Sequence, residues 1–583
     1  MQKKYLHGAI IAGTAAFLLL ARLGATPLWD DDEPKNAACS VAMLQSNDWV
    51  VPTFDGRLRV EKPPFVNWLH LAGMSIFGPT ETGVRLGSAV LTMGTCLLTW
   101  HIGVLLFSQT IGFFAGLVMA TCIWTSVGGR ASTPDAPLVF FTTLTLFLFT
   151  RESLRSGLQH RGDYIRLSKC GAMAIGAVFG LAVLTKGPIG IAIPSLAMLA
   201  FAIIRAQSVP KASLAHVVTQ LKPFTVLASM LIVALPWYVW VTIRTDGEWL
   251  REFLLVHNVG RFVQPMEGHS GSLLYYPTII AIGLFPWSLV LIATVIHWGA
   301  LLRLRAHRHH SAIQLISCWA GTWLLFLSLA STKLPGYIWP AYPALALATG
   351  CFLDAWKRGE LFWLSSWKCD IRRLSDLIIQ VGLGVVFFAG VALAIALPIV
   401  SLYWCPGAEW IGIIGLVPIL GAICGWRFTR LGQRGHVINI TAFIGGSLSL
   451  LLSVVVAPQI GHIATPKALL HSMEENKIPQ ASVASFQTTP PSLVFYSGGP
   501  VTTLRTQADV KNHLTSQRNT SLIVDRRKLH LLNRSIPKTH GIVSEAHTVS
   551  SRDLVLIGPV DEDAITSRHP TNDLAVTWLK QFQ

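Results

Sequence analysis

Residues 376–402 read DLIIQVGLGVVFFAGVALAIALPIVSL, and no charged side chain stands between Leu377 and Leu402. A helix needs about 20 mainly apolar residues to cross the hydrocarbon core of a bilayer. A surface helix of a soluble protein shows only one apolar stripe, whereas this stretch is apolar on every side. It therefore reads as a membrane span. Working outward from it, comparable stretches lie at 86–107, 110–127, 136–150, 170–184, 187–205, 223–243, 273–296, 311–331, 336–354, 409–427 and 436–457. An N-terminal stretch, His7–Leu20 behind Lys3 and Lys4, completes a set of about thirteen spans. Arg22 stands where small residues should precede a signal-peptidase site, so the first stretch reads as an uncleaved span.

Composition agrees. Of 583 residues, 52% are hydrophobic and 13% charged, against roughly a quarter charged in soluble domains. That excludes a water-soluble enzyme and a disordered chain. The net charge of +16 does not call for nucleic acid. The basic residues gather in alternate loops, from Arg151, Arg155, Arg161, Arg166 and Lys169 to Arg427, Arg430 and Arg434. This is the asymmetry expected of cytoplasmic loops, with the N-terminus inside and the C-terminal segment outside. Nine cysteines without a CxxC pair form neither a disulfide framework nor a zinc site. Cys39 and Cys405 both fall on the expected outer side, and their pairing is open.

The expected organisation is a polytopic α-helical membrane domain over residues 1–457 followed by a soluble α/β domain over 458–583. The second segment is polar, with short apolar runs at Val483–Phe486, Leu493–Tyr496, Leu522–Val524 and Leu554–Ile557. Two outer loops are long, 24–85 and 244–272, with interfacial helices expected in them.

Those loops and the neighbouring span ends hold the candidate chemistry. Asp30, Asp31, Asp32 and Glu33 precede Pro34 and a helical pattern. Capping and the helix dipole explain one or two acids at a helix start, but not four in a row. Arg57, Arg59, Glu61 and Lys62 precede Pro63-Pro64, either as a lipid-headgroup anchor or as a phosphate site beside a carboxylate. Asp135 opens a span, Lys186 closes one, His257 and Arg261 share the second loop, and Lys333 and Tyr337 lie at another span end. An acid at a span end facing a polar cavity is a functional candidate. Cations that hold a phosphate leaving group, beside a carboxylate that deprotonates a hydroxyl, would suit a lipid-borne phosphate. There is no P-loop, GxGxxG or HExxH pattern to support nucleotide-driven or zinc-protease chemistry.

Taken in order, Asp32-Glu33, Gln45 to Pro52, Glu61-Lys62-Pro63-Pro64, Gly83-Val84-Arg85, Asp135, Leu184 to Pro188, His257 to Phe262, Phe285-Pro286-Trp287 and Lys333 to Tyr337 resemble the GT-C class of lipid-linked-sugar glycosyltransferases. Within it the resemblance is greater to bacterial aminoarabinose transferases of lipid A than to protein O-mannosyltransferases. It covers roughly residues 25–345. It implies a GT-C fold in the inner (plasma) membrane, with the active site and C-terminal domain periplasmic. It implies a sugar donor on a polyprenyl phosphate such as undecaprenyl phosphate, and a hydroxyl or phosphate of a lipid A-like glycolipid, or a polysaccharide or protein, as acceptor. Asp32 matches the acid that activates the acceptor, with Asp31 or Glu33 as alternates in the longer acidic run, and Asp135 matches a second acid. Lys62, Arg261 and Tyr337 match contacts to the donor phosphate, with Lys333 beside them. Glu61 and His257 match candidate ligands of a divalent metal. The competing reading is a lipid or sugar transporter, which would place ionisable residues and broken helices at mid-membrane.

Overall fold

The computed structural model describes residues 2–28, 32–155, 165–207, 213–260, 271–304, 307–361, 371–404, 406–463, 467–475, 479, 482–516, 520–546 and 553–559. They form two compact units. One comprises Met1–Thr26 with Cys39–Ile460, the other Pro27–Ala38 with Gly461–Gln583.

The first unit is helical. Its early elements are α1 (Gln2–Leu20), α2 (Asp32–Ser46, from Cys39 onward), α3 (Phe65–Phe77), α4 (Glu81–Leu106), α5 (Gln109–Thr121), α6 (Ile123–Arg130), α7 (Asp135–Arg155), α8 (Lys169–Lys186), α9 (Ile189–Ala206), α10 (Leu214–Gln220), α11 (Pro223–Arg244) and α12 (Glu248–Arg251). A two-stranded hairpin, β1 (Thr53–Phe54) and β2 (Arg57–Leu58), stands between α2 and α3. Among the described residues eight helices are long and apolar enough to cross a membrane, or ten when two bent pairs are each taken as one span. The other three expected stretches hold α1, α7 and Tyr342–Arg358. These miss the same measure because Tyr5–Leu20 and Tyr342–Arg358 are short and α7 carries charged residues at its ends.

Serine and threonine start several of these helices as a sequence reader would expect. Thr80, Ser108 and Ser168 accept the backbone N–H three residues on, at the heads of α4, α5 and α8. Packing then divides the helices. The long helix over Arg373–Tyr403 exposes Val381, Val385, Phe388 and Ile395. Such a surface suits lipid contact and would be an aggregation liability in water. The core instead collects large aromatics, including Trp287, Trp319, Trp323, Trp339 and Trp356.

The two bent pairs meet. Gln109–Thr121 and Ile123–Arg130 bend by 58° at Cys122, and Tyr275–Gly283 and Trp287–Arg303 bend by 119°. The amide freed at the first break, Ile123 N–H, donates to the Phe285 carbonyl at 3.1 Å. The indole Nε1 of Trp287 donates to Thr121 Oγ1 at 3.0 Å. Each interruption thus satisfies a polar group of the other, as irregular backbone inside a bundle requires. At the end of α1, Arg130 donates to the Leu18 and Leu19 carbonyls and Arg85 to that of Leu23. Two guanidinium groups therefore occupy a helix C-terminus, where orphan carbonyls and the dipole favour cations.

The second unit contains a five-stranded mixed sheet in the order β4-β3-β5-β7-β6. Its strands are β3 (Val483–Phe486), β4 (Thr502–Leu504), β5 (Ser521–Asp525), β6 (His540–Ala546) and β7 (Leu554–Pro559). β3 pairs in parallel with β4 and β5, while β7 is antiparallel to β5 and β6. β3 is buried along its whole length, the mark of a parallel strand covered on both faces. Of the four apolar runs in this segment, three are strands; Leu493–Tyr496 instead lies in the helix Pro491–Tyr496, started by Pro490-Pro491.

Candidate active site

Asp135 is the first residue of α7 and Lys186 the last of α8. The two side chains form an ion pair. A carboxylate at a helix N-terminus and an ammonium at a helix C-terminus each sit at the favourable pole of a macrodipole, so both helices reinforce the pair. The chain leaves α8 through Gly187 at φ +70, where the backbone passes against the Phe253 ring. A side chain at that φ would be strained, and a β-carbon there would strike the ring. Lys186 Nζ also lies 4.5 Å from the centroid of Tyr337, within cation–π range. Gly336 lets that segment close on Asp135: a β-carbon at position 336 would stand 2.7 Å from Asp135 Oδ2. Asp135, Lys186 and Tyr337 are therefore one cluster, and both charged members remain partly exposed, at 24% and 17% of their side chains.

Lys333 follows the same segment inward. It is buried, and its Nζ donates to the Ala330 carbonyl at 2.8 Å. Gly271, at the end of the second long loop, approaches its aliphatic stem.

A second group surrounds Glu61. Arg59 is 4% exposed, and its Nε lies 3.3 Å from Glu61 Oε2. The Arg59 backbone carbonyl accepts Trp249 Nε1–H at 2.8 Å. Cys39 is a free, buried thiol held above its ordinary pKa by burial, against the pull of the Arg59 guanidinium. Cys405, its suggested partner, lies outside the described residues. Lys62 and His257 are both half-buried. His257 is in the π-helical turn Glu252–Gly260, which also carries Asn258, whose Nδ2 donates to the Phe253 carbonyl at 2.7 Å.

Asp32 and Glu33 form the first turn of α2, Asp32 exposed and Glu33 buried. Both belong to the second unit. Asp30, Asp31 and Arg261 lie outside the described residues. Among the described residues no three His, Cys, Asp or Glu side chains assemble as metal ligands. Glu61 and His257 are the candidate ligands the sequence offers; Glu61 is paired with Arg59, and the described residues add no third ligand to them.

The sequence reading left two features out of the site. Arg59 was one charge in a basic patch, and only its burial against Glu61 distinguishes it. Asn67 and His70 are polar residues at i, i+3 on the buried face of α3, a spacing that marks a shared face. That is the one signal through which the sequence could have exposed them.

Comparison with known proteins places this geometry in context. Residues 61–240 match the family model described as dolichyl-phosphate-mannose-protein mannosyltransferase. That segment includes Glu61, Lys62, Asp135 and Lys186. The undecaprenyl phosphate-alpha-4-amino-4-deoxy-L-arabinose arabinosyl transferase of Aeromonas salmonicida is 27% identical over 479 residues, 81% of this chain and 79% of that one. The protein of the same description from Pectobacterium atrosepticum is 28% identical over 83% of this chain and 79% of its own length. The crystal structure of ArnT from Cupriavidus metallidurans bound to undecaprenyl phosphate superposes with a TM-score of 0.74, covering 95% of this chain and 98% of that one at 21% identity. The chain thus shares the fold of that structure nearly end to end, and over most of its length it is similar in sequence to these transferases.

Proposed function

We infer that the chain is a GT-C-class membrane glycosyltransferase, similar to the aminoarabinose transferases, that moves a sugar from a polyprenyl-phosphate carrier to an acceptor at the outer face of the membrane. The observation that carries this reading is the Asp135–Lys186–Tyr337 cluster at the end of a helical bundle with the ArnT fold. A polyprenyl phosphate delivers its headgroup at the membrane surface, where these span ends lie. The names of the relatives favour an aminoarabinose-like pentose as the sugar, and the motif resemblance favours a lipid A-like glycolipid as the acceptor. The match to protein mannosyltransferases keeps a protein acceptor as the alternative.

In the mechanism we assign, the acceptor hydroxyl attacks the anomeric carbon from the face opposite the phosphate. Its proton passes to Asp32, or to Glu33 beside it. The C–O bond to phosphate breaks, the electron pair stays on the phosphate oxygen, and the configuration inverts. Lys62, Arg261, Lys333 and Tyr337 stabilise the growing negative charge. Asp135 holds Lys186 over Tyr337, so that a cation stands oriented beside those contacts before the donor arrives. The sugar–phosphate bond supplies the driving force, and no nucleotide is consumed. No step is assigned to a metal ion. Residues 1–457 form the membrane catalytic domain, with the N-terminus cytoplasmic. Residues 458–583 form an outer soluble domain.

The test is transfer in liposomes, with radiolabelled sugar on a polyprenyl phosphate as donor and an envelope extract as acceptor. Asp32→Asn is expected to lower turnover at least about 100-fold, the range of a general base, with yield and folding intact. Fractionation of the labelled product identifies the acceptor. Near-normal turnover by the variant would remove Asp32 from the base role. Label that crosses the bilayer without transfer would favour transport instead.

A further inference from the structure

Behind the Asp135 cluster lies a buried polar chain that no step above uses. Asn67 Nδ2 donates to Ser40 Oγ at 2.9 Å. Ser40 Oγ lies 2.9 Å from His70 Nδ1, and His70 Nε2 lies 2.7 Å from Ser132 Oγ. Ser40 and Ser132 are fully buried, His70 is 1% exposed and Asn67 2%. Buried polar groups are costly unless satisfied, and connected networks of them specify one arrangement of the elements they join. This one joins three separate pieces of chain. Ser40 is on α2, Asn67 and His70 are on α3 directly after the Glu61-Lys62-Pro63-Pro64 motif, and Ser132 is in the short connection between α6 and α7.

The position of Ser132 gives the chain its interest. Three residues later Asp135 opens α7, and Leu138 N–H donates to the Pro134 carbonyl to start the helix. The connection is too short to take up slack, so a shift of Ser132 moves the Asp135 carboxylate. That carboxylate is already crowded by Gly336 on one side and paired with Lys186 on the other. The imidazole is a rigid planar ring whose two nitrogens reach two hydroxyls at once, in the neutral form one as donor and the other as acceptor.

We propose that His70 is a positioning residue of the transferase: by bridging Ser40 and Ser132 it fixes the connection that aims Asp135, and through it the Lys186–Tyr337 cluster, at the donor phosphate. The proposal rests on the glycosyltransferase reading. His70 is 1% exposed and its two ring nitrogens face the Ser40 and Ser132 hydroxyls, so its effect is on geometry.

The two ends of the ring can be tested separately. His70→Gln places an amide near the position of Nε2 and keeps the link to Ser132. His70→Asn places one near Nδ1 and keeps the link to Ser40. His70→Leu keeps the volume and loses both. Turnover of His70→Leu is expected to fall about 10- to 100-fold, since ångström-scale misplacement of a site costs that much, while KM for the polyprenyl-phosphate donor changes less than about threefold. His70→Gln is expected to recover most of the lost turnover and His70→Asn little. Ser132→Ala, a smaller change, guards against a folding defect in the leucine variant and is expected to follow it in direction.

A second readout does not depend on activity. In detergent-solubilised full-length protein, the acylation rate of Lys186 by an amine-reactive ester, followed by peptide mass spectrometry, reports its pairing with Asp135. Asp135→Asn sets the rate of the released amine. His70→Leu and Ser132→Ala are expected to raise Lys186 labelling toward that rate, and His70→Gln to return it to the wild-type value. Wild-type labelling in both His70→Leu and Ser132→Ala would overturn the proposal. So would rescue by asparagine and not by glutamine, which would assign the ring to Ser40 alone. Should the wild-type protein transfer no sugar from any donor, the glycosyltransferase reading falls, while the labelling result still decides whether His70 sets Asp135.

Discussion

At the scale of single residues, the site depends on where the chain leaves room. Gly336 faces the Asp135 carboxylate so closely that a methyl group there would displace it or push the Tyr337 segment away. Gly336→Ala is therefore expected to lower turnover about tenfold, with a smaller change in KM; a transfer assay on purified protein checks it. The sequence displayed most of the charged residues of this site, because ionisable groups at the ends of apolar stretches stand out. It showed that Asp135 and Lys186 sit at opposite ends of their spans' helices, but it could not show that the two ends meet. Pairing across 51 positions is a product of bundle packing and leaves no local pattern. Arg59 was equally hard to single out, since the sequence shows a charge but not its burial.

At the scale of elements, one aromatic cluster binds the two long loops. Trp237 Nε1 donates to the Val50 carbonyl and Trp249 Nε1 to that of Arg59. Trp249 stacks on Phe253 with ring centroids 4.7 Å apart and meets Trp237 edge-on at 4.8 Å. Arg244 pairs with Asp48 at 2.9 Å on the outside of the same contact. The hairpin β1–β2 and the turn Glu252–Gly260, which carries His257, are thereby held to a common support. Trp249→Phe keeps the ring packing and loses one hydrogen bond, an expected cost of about 1 kcal/mol. Trp249→Ala also opens a cavity and is expected to cost about 3–5 kcal/mol. Thermal melts of the solubilised protein should rank wild type above phenylalanine above alanine. The spans themselves were legible from hydropathy, since a run such as Val381–Val400 permits no other solution. The bend at Cys122 was not, because no breaker residue stands there and the acceptor of the freed Ile123 amide, Phe285, comes from a distant part of the chain.

At the scale of the whole molecule, the alternation of basic loops makes orientation testable. In a chain with Cys170, Cys369, Cys405 and Cys424 replaced by serine, Arg57→Cys is expected to react with an impermeant thiol reagent in intact spheroplasts. Arg308→Cys is expected to react only after the membrane is opened. The reverse pattern would invert the topology and with it the side on which the site works. The segment after residue 457 was legible as α/β from its polar composition and short apolar runs, but the register of its sheet was not. β4 is only three residues long and β6 mixes Ile542 and Val543 with His540, Gly541, Ser544 and Glu545, so neither stands out as an apolar run before neighbours pair with it.

The two interlocked bends bear on how such a bundle can move. A carrier that exposes its cargo first to one side and then to the other needs two halves that can part, and broken helices commonly mark the seam. Here the seam is latched. Separating α5–α6 from the Phe285-Pro286-Trp287 corner would take their acceptors from the Ile123 amide and the Trp287 indole. Each donor left buried without a partner costs about 1–3 kcal/mol. The breaks hold this part of the bundle in one posture, as suits a workbench to which substrates come rather than a gate through which they pass.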